Sequence, residues 1–259
     1  MNIIGITRIR NEQDIIKDTL DHWAKICTGG IYVYDDASTD FTVKICRAHP
    51  AVKDMIEAKI WDTNRERAEW TNRQSILALA KLHASPDDWF VYFDADERLV
   101  TGPVGQFWAP FFNVDVKAIA CRLYDVYITP NDVSTNYEHR DWVGPEFRTI
   151  VMFFRNHPDL RYDTPDQRVV TLPNDRRFVE VAGYIKHYGK GFSVKHWEDT
   201  CDYYINHFPK YAEKWRGRKG KAIKIDMKSD FGNPLISFNE VTLGRIQGFP
   251  LETQSYGKN

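Results

Sequence analysis

Cysteine is scarce in this chain: only Cys27, Cys46, Cys121 and Cys201 occur among 259 residues, and no two form a Cys-x-x-Cys pair. That spacing excludes a disulfide scaffold and a structural zinc site. Reduced, buried thiols in a cytosolic compartment are the expectation. An excess of either charge is also missing. The 35 Lys and Arg are matched by 36 Asp and Glu, for a net charge of −1, which argues against nucleic acid as a partner. Asn-x-Ser/Thr acceptors are absent. No apolar run approaches the roughly 20 residues of a membrane span. Met1 to Thr7 is too short an apolar stretch for a signal peptide and meets Arg8 and Arg10 at once, so a cytoplasmic location is expected.

What is present suits a soluble globular protein. An apolar fraction of 42% and a charged fraction of 27% are ordinary for that class. The length fits one large domain, or one domain with an appendage. Aromatic residues reach 14%, with eight Trp; that supply serves ring stacking on a ligand as well as a large core.

The first hundred residues alternate in character. Asn2 to Thr7 is a β-branched run, hence a strand, and Arg8-Ile9-Arg10-Asn11-Glu12 reads as a polar loop. Between Glu12 and Cys27, the residues Ile16, Leu20, Trp23 and Cys27 recur at helical spacing, and Gly29-Gly30 stops the helix. Ile31 to Tyr34 is a second strand, ending in Asp35-Asp36-Ala37-Ser38-Thr39-Asp40. Ser38 or Thr39 is placed to cap a short helix that Pro50 closes. Glu57 to Trp61 reads as a third strand, and Arg65 to about His83 as a long helix. This alternation predicts a parallel α/β sheet with right-handed crossovers.

Beyond Pro103 the pattern changes. Lys117 to Ile128 and Thr149 to Phe154 read as strands, with an aromatic-rich loop or flap from Asn131 to Phe147 between them. Arg168 to Leu172 and Val179 to Tyr184 suggest a hairpin across Pro173-Asn174-Asp175. Antiparallel additions to the parallel half are therefore expected. Ser193 to Trp215 is helical and dense in aromatics, and Pro209 kinks or splits it. The segment Lys214 to Lys228 carries seven Lys/Arg against one Asp. It reads either as a solvated arm or as a contact for an anionic partner: donor phosphate, lipid phosphate or a membrane surface.

The densest chemistry lies at Trp89-Phe90-Val91-Tyr92-Phe93-Asp94-Ala95-Asp96-Glu97. Five apolar or aromatic residues predict a strand buried on both faces. Two carboxylates then follow two residues apart, and alternation along a strand would face them the same way. Ligands in open α/β sheets bind beyond the carboxyl ends of strands. Two hard oxygen donors there suit Mg²⁺ or Mn²⁺, which could carry a substrate's phosphates. The alternative is a polar turn in which Asp94 and Asp96 cap backbone amides.

Taken together, Arg8-Ile9-Arg10-Asn11-Glu12, Asp35-Asp36-Ala37-Ser38-Thr39-Asp40 and Asp94-Ala95-Asp96-Glu97, each after a strand, resemble the nucleotide-sugar glycosyltransferases of the GT-A fold, and more closely their inverting, family-2-like branch. The resemblance covers residues 1–100 in order and spacing and continues loosely to about residue 190. It implies an α/β GT-A-like domain over 1–192, with a nucleotide-binding half at 1–100 and an acceptor half at 101–192. A helical, basic extension at 193–259 packs on it. The implied activity is metal-dependent transfer of a hexosyl or deoxyhexosyl group from a nucleotide-diphosphate donor to a hydroxyl, on a glycan or other acceptor, with inversion.

The resemblance also implies roles. Asp96 would bind Mn²⁺ or Mg²⁺ directly, and Asp94 would reach it through water or hold the donor ribose. Asp36 would accept hydrogen bonds from base or ribose; Thr7, Arg8 and Glu12 would line the base pocket. Arg65 and Arg73 would approach the diphosphate, with Asn72 beside them. The general base that inversion requires would be Asp166 or Asp163, with Glu146 behind them. His187 would complete the metal or diphosphate site, with His196 as the fallback. Trp142 and Tyr137 would stack on the acceptor. Two rivals stand beside this reading. One is a degenerate module that binds nucleotide or glycan without turnover. The other is a nucleotidyltransferase, although the Gly-rich loop it would carry after the first strand is missing from Arg8 to Glu12.

Overall fold

The structure is a computed structural model that describes residues 1–101, 104–163, 168–172 and 179–251. Strands β1 (Ile3–Ile9), β2 (Ile31–Asp35), β3 (Val52–Glu57), β4 (Trp89–Tyr92), β5 (Glu97–Val100), β6 (Ala118–Val126), β7 (Trp142–Arg155), β8 (Val179–His187), β9 (Ile236–Ser237) and β10 (Phe249–Pro250) make one mixed sheet. Its path of hydrogen-bonded neighbours is β3-β2-β1-β4-β7-β6-β8-β5, with β9 and β10 both on β7. Helices are α1 (Ile16–Ala24), α2 (Thr42–Ala48), α3 (Arg65–Lys81), α4 (Val104–Trp108), α5 (Val194–His207), α6 (Ala212–Arg218) and α7 (Phe238–Thr242). The expected α/β class holds: β1 runs parallel to β2 and β4, β2 runs parallel to β3, and β7 lies antiparallel to β4.

The chain divides into two compact units. The first comprises Met1–Arg98, Trp108–Ala120 and Val151–Val181. Its strands are apolar on both faces because helices cover both. On one side, Ile76, Leu77 and Ala80 of α3 pack with Ile4, Ile6, Phe90 and Tyr92. On the other, Trp23 of α1 stacks on Phe93 at 4.5 Å and donates from its indole to the Glu97 carbonyl at 3.0 Å. A Cβ on Gly5 of β1 would meet the Cys27 sulfur at 2.8 Å, so this close approach requires glycine.

The second unit comprises Leu99–Phe107, Cys121–Ile150 and Ala182–Asn259. Its helical part has a small aromatic core of its own, in which Trp197, Cys201 and Ala222 are buried with Ile205 and Trp215 against them. Ser193 caps α5 through a bond from the His196 amide. Pro209 separates α5 from α6 by a single 3₁₀ turn, as a proline inside a helical pattern must.

Several expectations are corrected. The third strand lies at Val52–Glu57 rather than 57–61; it ends the strand path and none of its residues is fully buried, as befits an edge strand with too few apolar residues to stand out. Arg8 belongs to β1, not to the loop after it. Strand β7 begins at Trp142, so the flap expected over 131–147 is shorter. Among the described residues, Arg168 to Leu172 is no strand and makes only an isolated bridge between Thr171 and Arg161. β4 ends at Tyr92, and Asp94 to Glu97 is a tight turn in which the Glu97 amide donates to the Asp94 carbonyl at 3.2 Å. Strand alternation therefore does not govern Asp94 and Asp96.

Candidate functional site

The site builds up from three neighbouring parallel strands of the first unit. Strand β1 pairs Ile9 with Asp35 of β2, and Ile6 with Tyr92 of β4. Their carboxyl ends therefore emerge side by side, where a sheet of this kind offers backbone and side chains to ligands.

The loops after β1 and β2 are zipped together. The Asn11 amide donates to Ser38 at 2.9 Å, the Thr39 amide to the Asn11 side chain at 2.8 Å, and the Glu12 amide to Thr42 at 2.7 Å. Ala37 sits at φ 57°, a conformation that costs a residue with a Cβ about 1–2 kcal/mol. The Arg10 guanidinium holds it there by donating to the carbonyls of Asp36 and Ala37 at 2.6 and 2.5 Å. Backbone strain held by a dedicated side chain is a feature of functional loops. Arg10 and Arg65 also lie over the Trp61 ring, 4.5 and 5.2 Å from its centroid.

Asp36 is the buried anchor. Its carboxylate accepts from Arg8 at 2.9 Å, from Arg65 at 2.6 Å and from Asn72 at 3.2 Å, and the residue is 1% exposed. Three residues singled out in the sequence thus converge on the carboxylate of a fourth. Arg8 continues to Glu69 through a two-pronged bond of 2.8 and 2.9 Å. Glu69 in turn takes Arg73 at 2.9 Å, and Arg65 at 3.3 Å. Arg73 donates to the Tyr92 hydroxyl at 3.0 Å, and Tyr92 donates to Asp94 at 2.9 Å. Burial pushes the Tyr92 hydroxyl up to about 12, so it keeps its proton and its donor role. The chain of contacts thus runs unbroken from the end of β2 to the end of β4.

The turn after β4 is clamped from below. Glu97 is fully buried, accepts from the Asp94 amide at 3.0 Å and receives a fork of two bonds from Arg168. Arg168 also faces the Asp94 carboxylate at 3.4 Å. Burial works against ionising Asp94, yet the charges of Arg168, Arg73 and Arg8 hold its pKa below the usual carboxylate value. Glu12 shows the opposite balance. Burial, then the negative charges of Asp96 and Asp94, push its carboxyl well above the ordinary value. Glu12 thus feels the charge of both Asp96 and Asp94.

The remaining predicted residues are placed as follows. Thr7 is wholly buried within β1, and its hydroxyl finds no partner among the described residues. Asp163 is satisfied at both oxygens, by Arg161 and Thr171 at 2.6 Å each, and the Thr171 bond leads in holding it below its usual value. Asp166 lies outside the described residues. His187 belongs to the second unit, where its Nδ1 meets Asp125 at 2.6 Å. The His196 amide donates to Ser193 at 3.0 Å and its ring lies edge-on to Phe192 at 5.4 Å. Tyr137 is buried against Tyr188 and Phe192. Glu146 is buried and bound by Ser229 at 2.8 Å and by Asn233. Among the described residues, no group of three or more His, Cys, Asp or Glu is arranged to hold a metal ion.

Sequence reasoning missed Glu69, Tyr92, Glu97 and Arg168. Glu69 had a signal: it lies four residues from both Arg65 and Arg73, the spacing of neighbours on one helix face. Arg168 had none, since it reaches Glu97 from 71 residues away.

No family model matches the chain. Two curated relatives are uncharacterized proteins of Mycobacterium tuberculosis and Mycobacterium bovis, each 30% identical over 137 residues, which is 51% of this chain. The chain spans 28% of the length of either relative. Among solved structures, S. aureus TarS in complex with UDP-GlcNAc is similar at a TM-score of 0.38 and 16% identity, over 55% of this chain and 39% of that one. Glucosyl-3-phosphoglycerate synthase from Mycobacterium tuberculosis, with Mn²⁺, UDP and glucosyl-3-phosphoglycerate, is similar at 0.31 and 18%, over 47% and 44%. Likeness at that level does not carry an activity from one chain to another. No described helix is long and apolar enough to cross a membrane.

Proposed function

We propose that the chain is a glycosyltransferase that uses a nucleotide-diphosphate sugar and inverts the transferred centre. The observation that carries this reading is the continuous network from Asp36 through Arg8, Glu69, Arg73 and Tyr92 to Asp94, set across the ends of three parallel strands. Buried charge on this scale costs several kcal/mol per unpaired ion. Its arrangement at a strand edge suits a site that must hold cationic side chains and carboxylates in fixed register.

Within that site the arginines have a chemical task. Arg8, Arg65 and Arg73 supply positive charge toward a leaving nucleoside diphosphate, and Asp36 and Glu69 fix their direction. Arg10 over Trp61 shapes the wall beside them. Tyr92 and Arg168 orient the Asp94 carboxylate. Asp96 with Asp94 fits a hard divalent ion, because two carboxylates plus substrate phosphates make a common Mg²⁺ or Mn²⁺ sphere. The mutual repulsion that raises Glu12 is the field such an ion would relieve. When bound, the metal would neutralise charge on the leaving group. The acceptor hydroxyl would lose its proton to Asp166 or Asp163, with Asp163 disfavoured by the two bonds that lower its basicity.

Thermal unfolding against UDP, GDP, dTDP and CDP, each with and without Mn²⁺, tests the reading. One nucleotide is expected to raise Tm by about 2–4 °C at roughly fivefold its Kd, and only with metal. Asp96→Asn should abolish that rise. No rise with any pair would overturn the proposal. Separate Asp166→Asn and Asp163→Asn variants should then show which one loses turnover while keeping donor affinity.

A further inference from the structure

The second unit gathers more positive charge than its buried carboxylates can pair. Asp125 takes His187 at 2.6 Å, Lys190 at 2.8 Å and Arg148 at 3.1 Å. Asp230 takes Lys224 at 2.5 Å, and Lys190 and Arg218 at 3.2 Å each. Lys190 thus bridges the two acids. Its ammonium also donates to the Tyr127 hydroxyl at 3.0 Å, and Lys224 lies 5.2 Å from the same ring. Among the described ion pairs of this cluster, two carboxylates hold four permanent cations. Glu146 adds a third acid beside Tyr127, where its oxygen and the ring both crowd the Gly144 position.

A fifth cation, Lys214, lies four residues before Arg218 on α6 and so on the same helix face. Burial, then the positive charges of Arg218, Lys190 and Arg148, hold the Lys214 ammonium below its ordinary value. Asp125 and Asp230 thus pair four lysines and arginines with Lys214 beside them, before His187 is counted. The surplus is layered. Lys190 and Lys224 are 8% and 9% exposed, whereas the Arg148 side chain is 48% exposed and Lys214 is exposed. Crowding like charges at the edge of a low-dielectric region is unfavourable unless an anion completes the set. Arg148 and Arg218 stand on the two carboxylates that Lys190 bridges, and guanidinium groups beside ammonium groups are the chemistry that recognises a phosphoryl group, since the planar fork matches its oxygens.

We propose that the second unit binds a phosphoryl group of its own through Arg148, Arg218 and Lys214, over a floor of Lys190 and Lys224. This anion site does not rest on the transferase reading above. Lys214, Arg218 and Lys224 all lie beyond residue 190, where the glycosyltransferase resemblance ends. They also give the basic segment 214–228 a task other than that of a solvated arm.

The test is thermal unfolding of the full chain with inorganic phosphate, against potassium chloride of equal ionic strength. Phosphate is expected to raise Tm by about 2–4 °C at roughly fivefold its Kd, and chloride not at all. A double variant, Arg148→Gln with Lys214→Gln, changes two exposed side chains and so keeps the fold. It should lose the phosphate shift and keep the shift with nucleotide and Mn²⁺. Asp96→Asn should do the reverse. An equal shift with chloride, or a phosphate shift that survives the double variant, overturns the site. Loss of both shifts in the double variant overturns a phosphate site independent of the nucleotide. A phosphate shift without any nucleotide shift supports the site and removes the transferase reading.

Discussion

Two clusters of charge, one in each unit, differ in the sign they leave over. In the first unit Asp36, Glu69, Asp94 and Glu97 face Arg8, Arg65, Arg73 and Arg168, four against four. Glu12 and Asp96 add acids to that balance. In the second unit, Asp125 and Asp230 face Lys190, Lys224, Arg148 and Arg218. Pairing lowers the cost of burying charge, so each cluster is internally braced. The surplus is then what remains for a ligand: negative in the first unit, which suits a cation, and positive in the second, which suits an anion.

The largest expected effect comes from breaking the first cluster at its centre. Asp36→Ala would leave Arg8 and Arg65 buried without their shared carboxylate. A loss of about 3–5 kcal/mol is expected, read as a shift in the urea midpoint. A variant that unfolds at the wild-type midpoint would mean that the network contributes no net stability.

The second cluster should be weaker to the same treatment, because Lys190 keeps Asp230 and Arg148 is half in water. Asp125→Asn is expected to cost about 2 kcal/mol at neutral pH. Its pH dependence has a definite sign. Burial would raise the Asp125 carboxyl, but Lys190, Arg148 and the His187 bond hold it well below the usual value. A depressed acid stabilises the fold above its unfolded value, about 4, and that contribution disappears as pH falls through the lower folded value. Wild type and Asp125→Asn should therefore converge in acid, and urea midpoints measured from pH 7 down to pH 2 would detect it. Parallel profiles would remove Asp125 as the source.

The smallest effect runs in the other direction. Glu12 is raised by burial and by Asp96 and Asp94, so its stabilising contribution is complete below its unfolded value and is lost as pH rises toward the folded one. Glu12→Gln should stabilise the protein by about 1 kcal/mol at pH 7 and by nothing near pH 4. Calorimetric Tm values at both pH values check this, and a destabilised variant at pH 7 would contradict the acidic surplus of the first unit.

How far the sequence reached varies with the residue. β1, β2, α3 and β4 were legible because apolar runs and helical spacing are local signals. β3 was misplaced because an edge strand with Lys53 and Asp54 exposed lacks the apolar run that marks its neighbours. Arg8, Asp36, Arg65 and Asn72 could be named separately, since each follows a recognisable boundary, but their meeting on one carboxylate could not. Glu69 was readable from its spacing on α3 and was overlooked. Arg168, Glu97 and the Asp125–Lys190–Asp230 bridge were beyond reach, because their partners are between 40 and 71 residues apart.

By itself the sequence determined the elements and their order, and it placed acids and arginines at the ends of strands. Periodicity and chain punctuation are short-range properties, and a single chain displays them in full. Tertiary structure alone decided that Asp94 to Glu97 is a turn clamped by Arg168, and that Tyr92 connects two arginine-bound carboxylates. It alone sorted the balanced charges of a chain with net charge −1 into one acidic and one basic surplus. Burial fixes which charges must pair and which are left over, and burial exists only once distant segments have packed.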